Sequence, residues 1–368
     1  MKKFFAITLS LCMVFSLVAC GAPAAPAAPA ATAAPAATAA EVSATPAQPA
    51  PSGIDALDPI KIIFAIPNGA KNIETVYAEK WMALVGERSG GKITFDYTNA
   101  GALGSYAELL EGVQNGVYDL TITEPSYVQT YVPESVVLSL PMIYSNYKQA
   151  TTILDGEVGQ TYNGLVEAKS NLKLLNYFYC GFRYVCSEKE IASLADCKGV
   201  LIRSPQIETY TDLLGLMGFS YVTMAFSEAY TAMQTGVIEA VEVPLQNIYE
   251  AGFYNLGKNI ACTRHVLSVN CITANKDFWA GLPAEYAEIM QTALAEVTTQ
   301  ERAQCEANEN DYVTKLQAEG VTFHEFDDAS KAELLKIFSE YWNTKVTALG
   351  STDASGMLEK IVAIKSAS

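Results

Sequence analysis

The chain is short of the residues that carry most enzyme chemistry. Only two histidines, His265 and His324, occur in 368 residues. No Cys/His cluster has metal-ligand spacing and no two cysteines stand as C-x-x-C, so no zinc or dithiol redox site is expected. The sequence contains no G-x-G-x-x-G, P-loop, H-E-x-x-H or G-x-S-x-G. General bases and nucleophiles are correspondingly few, and Glu239 and Glu242 beside a strand look as structural as catalytic. Neither an enzyme nor a cofactor carrier is expected. Cations are scarce too: 24 basic residues face 40 acidic ones, which argues against nucleic-acid binding and electrostatic adhesion to anionic lipid. After Leu17 no apolar run is long enough for a transmembrane helix.

What is present starts at the N-terminus. Lys2 and Lys3 precede an apolar run from Phe4 to Leu17, and Leu17-Val-Ala-Cys20 follows. This pattern reads as a secretory signal over residues 1–19, with Cys20 in the position of a lipobox cysteine. Lipidation of Cys20 would hold the protein on the outer face of the cell membrane by the anchor alone. Residues 20–56 are dominated by Ala, Pro and Thr and read as an extended tether. Loss of Lys2 and Lys3 with the signal leaves 22 basic against 40 acidic residues, a net charge of −18. Any anion site must then be built from locally concentrated positive groups. Six further cysteines (Cys180, Cys186, Cys197, Cys262, Cys271 and Cys305) read as buried thiols.

Strand and helix patterns alternate through the rest. Lys61 to Ile66, Gly90 to Tyr97 and Tyr118 to Thr123 read as strands, separated by helical patterns at Ile73 to Glu87 and around Leu109 to Val113. This order predicts an α/β fold with a largely parallel sheet, in which ligands bind beyond the carboxyl ends of the strands. Those ends are Pro67-Asn68-Gly69, Asn99 to Tyr106 and Glu124 to Tyr127. A helix is expected near Ala150 to Ala168, then a strand at Lys173 to Tyr179. A second α/β unit follows: strand Val200 to Arg203, a helix near Glu208 to Met217, strand Ser220 to Met224, a helix from Ser227 to Thr235 capped by Ser227, and a strand at Gly236 to Glu242. Val266 to Thr273 reads as a strand crossing back to the first unit. A helical pattern from Leu282 to about Glu319 has no internal Gly or Pro after Pro283, and the tail from Ser330 to Lys365 is mostly helical.

Five arginines occur, at 88, 183, 203, 264 and 302, and two of them carry the functional argument. Arg203 ends the apolar run Val200-Leu-Ile202, and Arg183 follows the strand that leads to Cys180-Gly-Phe182. On neighbouring strands, both guanidiniums could enter one crevice, where each would match a carboxylate through parallel hydrogen bonds. A buried arginine needs an anion, supplied either by one of the protein's acids or by a ligand.

Ordered motifs bear on that choice. They are Leu103-Gly104 with Gly116-x-x-Asp119, Leu140-Pro141, Gly181-Phe-Arg183, Lys198-Gly-x-x-Ile-Arg203-x-Pro205, and Met224-x-Phe226-Ser-Glu228-Ala-Tyr230. Further on come Ala232-Met-Gln-Thr-Gly236, Glu242-x-Pro244, Phe253-Tyr254 and Thr263-x-His265. Over nearly the whole mature chain the sequence resembles the solute-binding proteins of tripartite ATP-independent periplasmic (TRAP) transporters, the C4-dicarboxylate-binding type. The resemblance implies two periplasmic-binding-protein-like α/β domains, hinged by crossing strands and bridged by a long helix. Domain I would be residues 57–180 plus 267–308, and domain II residues 181–266 plus 309–368. It also implies that Arg203 forms the salt bridge to a ligand carboxylate, with Arg183 beside it. Glu124 would be a polar contact from domain I, and Phe226 would pack on the ligand.

One position departs from the family. Where relatives often have Asn, this chain has Val243, so the amide that assists the arginine is missing. Tyr106, Tyr127, Tyr184 and Asn247 are candidate substitutes, and Val243 with these tyrosines favours an aromatic or branched monocarboxylate over a small polar diacid. The implied function is an extracytoplasmic receptor that captures an organic acid and passes it to the membrane permease subunits of a TRAP transporter, without cofactor or metal. A receptor that presents its ligand to a sensor kinase or chemoreceptor, and the binding protein of an ATP-driven importer, are the alternatives.

Overall fold

The computed structural model describes residues 53–367, and Cys20 with the segment before it lies outside them. Among the described residues no helix is long and apolar enough to cross a membrane. In chain order the strands are β1 (Ile60–Ala65), β2 (Ile93–Thr98), β3 (Leu120–Thr123), β4 (Leu172–Leu174), β5 (Phe178–Ser187) and β6 (Leu201–Ser204). They continue with β7 (Ser220–Thr223), β8 (Ala240–Pro244), β9 (Asn259–Cys262), β10 (Leu267–Asn275) and β11 (Thr322–Glu325). The main sheet path runs β2-β1-β3-β10-β5-β8-β6-β7.

Each half of this path is parallel: β2, β1 and β3 on one side, β8, β6 and β7 on the other. The helices Ile73–Arg88 and Glu208–Met217 each lie between two consecutive parallel strands, β1 to β2 and β6 to β7. Such a crossover is what parallel pairing requires. Between the halves run β5 and β10, antiparallel to each other and to their neighbours. Every residue of both strands is buried, so these two connections are part of the core.

Three expectations from sequence are corrected here. The strand anticipated at 173–179 is two strands, and β5 runs on to Ser187, so Arg183 sits inside a strand and not after its end. β5 and β6 are also not neighbours, because β8 lies between them. The helix expected near 150–168 is likewise two, Tyr147–Leu154 and Glu157–Lys169. At the break a Cβ on Gly156 would lie 2.4 Å from the Thr152 carbonyl oxygen, so the bend accepts only glycine.

The helix Ala284–Ala318 is unbroken, and its buried residues (Tyr286, Met290, Ala293, Leu294, Val297, Thr298, Glu301, Cys305, Tyr312 and Leu316) mark one face. At one end Trp81 Nε1 donates to the Met290 carbonyl at 2.9 Å, and at the other Tyr312 packs on Tyr249 at 5.8 Å. The helix thereby spans both halves of the sheet. The tail forms helices Asp328–Leu349 and Thr352–Ala367. They pack back on the segments 133–139 and 147–169, tying the chain's end to its first half. All six described cysteines are buried free thiols.

Candidate functional site

The carboxyl ends of six strands converge on one cavity of about 490 Å³. Pro67, Asn68 and Gly69 follow β1; Ala100 to Tyr106 follow β2; Glu124 and Tyr127 follow β3. From the other half come Arg203 of β6 and Pro205 just after it, Ala225 to Glu228 after β7, and Val243, Pro244 and Asn247 of β8 and beyond. The two crossing strands supply the floor, with Cys180 and Arg183 from β5 and Ser268 and Asn270 from β10. All eight candidates named from sequence (Arg203, Arg183, Glu124, Phe226, Val243, Asn247, Tyr106 and Tyr127) line this cavity. Tyr184 does not: its hydroxyl donates to Glu309 Oε1 at 2.5 Å and accepts from Arg264 Nε at 3.1 Å.

The arginines differ in what neutralises them. Arg183 donates through Nε to Glu242 Oε2 at 2.5 Å and through Nη2 to Glu242 Oε1 at 2.8 Å, a bidentate pair. A third bond runs from Nη2 to the Glu242 carbonyl at 2.7 Å, and a fourth from Nη1 to Ser268 Oγ at 2.9 Å. Glu242 is completely buried on β8, the strand between β5 and β6, and also meets His265 Nε2 at 3.2 Å. Burial pushes the Glu242 carboxyl up, but Arg183 and His265 outweigh it and hold it at about 2. Burial likewise works against the Arg183 charge, and Glu242 again wins, raising its pKa well above the ordinary value.

Arg203 has no such partner. Its Nε and Nη2 both donate to the Met224 carbonyl, at 3.1 and 2.9 Å. Among the described residues no carboxylate forms an ion pair with it, whereas Arg88, Arg183, Arg264 and Arg302 each have one. It is only 4% exposed, and burial pulls its pKa below the ordinary arginine value despite the more distant Glu242. The Phe226 ring lies 5.9 Å from its guanidinium carbon. Arg203 is thus a buried cation on the cavity wall whose hydrogen bonds all go to one backbone carbonyl.

Residues 64–347 match the family DctP, described as bacterial extracellular solute-binding protein, family 7. The chain belongs to this family. It is 30% identical over 243 residues to a solute-binding protein of Roseobacter denitrificans, covering 65% of this chain and 74% of that one. A crystal structure of a TRAP periplasmic solute-binding protein from R. denitrificans with bound L-galactonate matches at TM-score 0.75 and 25% identity, over 83% of this chain and 99% of that one. The sugar-acid-binding protein DctPAm of Advenella mimigardefordensis, in complex with galactonate, matches at TM-score 0.79 and 23% identity, over 84% and 99%, a likeness of fold.

In this solute-binding protein several wall residues were not anticipated from the sequence. Glu74, in the first turn of the helix Ile73–Arg88, is 2% exposed and accepts from Asn68 Nδ2 and, at 3.4 Å, from Asn270 Nδ2. Burial pushes its carboxyl up to about 7. Tyr106 donates to Asn68 Oδ1 at 2.8 Å and stacks on Tyr127 with ring centres 5.2 Å apart. Glu124 accepts from Tyr210 of the other half at 3.2 Å and from Ser126 at 3.0 Å, and its Oε1 lies 3.8 Å from Arg183 Nη1. Ser227, expected as a helix cap, lies inside the first turn of Phe226–Gln234. Glu228 takes over that task, accepting from the Ala225 N–H at 2.9 Å. Asn68 belongs to the strand end that the sequence already marks for ligand binding, and its place just after that end is the one signal that could have pointed to Glu74.

Proposed function

We propose that this TRAP-type solute-binding protein captures an organic acid, with the ligand carboxylate as the missing counter-ion of Arg203. The observation that carries the reading is that Arg203 is buried at the cavity wall and bonded only to the Met224 carbonyl. Two charge-assisted hydrogen bonds to a carboxylate would contribute about 1.5–3 kcal/mol each. Exclusion of water from the cavity strengthens them further. Arg183 shapes the wall beside it, with its charge already taken by Glu242.

Domain I (residues 57–180 plus 267–308) and domain II (181–266 plus 309–368) would move about β5 and β10. Bonds between the two halves support a closed state: Tyr210 to Glu124 at 3.2 Å, and Gln246 Nε2 to the Lys71 carbonyl at 3.0 Å. Ligand binding then shifts the population between open and closed forms. No covalent chemistry is part of this function. The acid would be handed to the membrane permease subunits of the transporter. Cys20, after Leu17-Val-Ala, would carry the lipid that keeps the receptor at the outer membrane face.

Thermal-shift measurement with organic acids and their methyl esters tests the reading. Acids should raise the melting temperature and the esters should not; equal shifts from acid and ester would overturn it.

A further inference from the structure

A second cavity, of about 350 Å³, lies on the other side of the crossing strand β5. Phe182 lines it, whereas its neighbour Arg183 lines the cavity at the strand ends, and successive strand residues face opposite sides of a sheet. The two cavities differ in charge. Four carboxylates and two cations line the first. The second is lined by three cations, Arg264, Lys331 and Lys365, and by no carboxylate. In a chain of net charge −16 this is a local reversal of the overall field.

The three cations are unequally paired. Arg264 and Lys331 share Glu325, at 3.1 and 3.6 Å. Lys365, on the last helix Thr352–Ala367, has no carboxylate partner among the described residues. Its Nζ donates to two neutral oxygens, the Met142 carbonyl at 2.9 Å and Ser145 Oγ at 2.7 Å, which leaves one of an ammonium's three N–H groups unused. Burial pulls its pKa below the ordinary lysine value. The backbone of the pocket is strained as well. Met142 and Arg264 hold φ at 52° and 42°, in the left-handed region that side chains with a Cβ avoid. The Met142 N–H donates to the His265 carbonyl at 2.7 Å, so the two strained segments brace each other. The other non-glycine residue in that region among the described residues, Ala100, lines the cavity at the strand ends. Strain of this kind, about 1–3 kcal/mol per residue, collects where a chain clamps a ligand.

We propose that this pocket is a second binding site, for an organic anion whose carboxylate is carried on an apolar body. The head group would meet Lys365, with Arg264 and Lys331 adding to the positive field. The body would lie against Phe182, Phe326, Leu334 and Leu335. These four side chains offer nothing to a small hydrophilic anion, and the cations repel an amine. Leu335 is 49% exposed, so the site opens to solvent and can be reached without parting the two halves of the sheet. It shares no lining residue with the cavity of Arg203 and is independent of the function assigned there.

The test is calorimetric titration with octanoate, octanol and octylammonium, run on Arg203→Ala so that the cavity at the strand ends lacks its own carboxylate-binding cation. Octanoate should bind at least ~10-fold more tightly than either of the others. Lys365→Met, which keeps the length of the side chain, should weaken octanoate ~10-fold and leave octanol unchanged. Leu335→Glu, at an exposed rim position, should weaken octanoate by placing a carboxylate beside the head group, and it keeps the inference testable should Lys365→Met fail to fold. Absence of octanoate binding, octanol binding as tight as octanoate, or octanoate affinity unchanged in Leu335→Glu would overturn the proposal.

Discussion

Arg183 and Arg203 line one cavity, both almost wholly buried, and they solve the problem of a buried charge in opposite ways. Around Arg183 the protein has built a closed network: Glu242 on one side, Ser268 on the other, and His265 behind the carboxylate. Around Arg203 it offers only the Met224 carbonyl. The first arrangement is complete within the protein and holds β5 to β8. The second, in the function proposed above, is completed by the ligand carboxylate. A cationic side chain in a binding cavity is therefore not by itself evidence of an anionic ligand; its existing partners decide.

The largest expected effect comes from breaking the complete network. Arg183→Ala strands Glu242 in the core, and unfolding by denaturant should show a loss of ~3–5 kcal/mol. A smaller effect is pH-dependent. Glu74 is raised from an ordinary 4.5 to about 7, so the folded protein binds this proton more tightly than the unfolded chain. Stability from this group is full below pH 4.5 and is lost as pH rises through about 7. Glu74→Gln removes the loss: at pH 8 denaturant melts should show the variant ~3 kcal/mol more stable than the parent, and at pH 5 the two should lie within ~1 kcal/mol. A variant that is no more stable at pH 8 would show that burial does not raise Glu74. The smallest effect sharpens the Arg203 side. Val243→Asn places an amide on the cavity wall, and affinity for a carboxylate probe should rise by ~5-fold in calorimetry, about 1 kcal/mol. Weaker binding would mean that the carboxylate sits away from β8.

Much of this geometry was legible in the sequence because it follows from backbone topology. Strand ends such as Pro67-Asn68-Gly69 and Glu124-Pro125 are marked by local turn chemistry, and alternating strands and helices direct ligands to those ends. The ordered motifs put Arg203 and Phe226 in one cavity for the same reason. Pairing across the sheet was not legible. β8 is inserted between β5 and β6 by a connection that no local pattern announces, and this insertion delivers Glu242 to Arg183. The length of β5 was hidden as well, because Gly181 interrupts its apolar pattern while adopting a φ of 99° within the strand. Asn270 sits in an apolar run, Val266 to Ile272, and only the fold shows that it faces Glu74.

The contrast between the two arginines can be tested in a single experiment. Arg203→Ala and the parent protein would be titrated calorimetrically with the organic acid that gives the largest thermal shift, alongside a melt of each without ligand. Affinity should drop by ~100-fold or more, while the unliganded melting temperature holds or rises, since the substitution removes a buried charge that no protein carboxylate neutralises. Undiminished affinity together with a lower melting temperature would contradict the account, by showing that Arg203 serves the fold and that the ligand is held elsewhere.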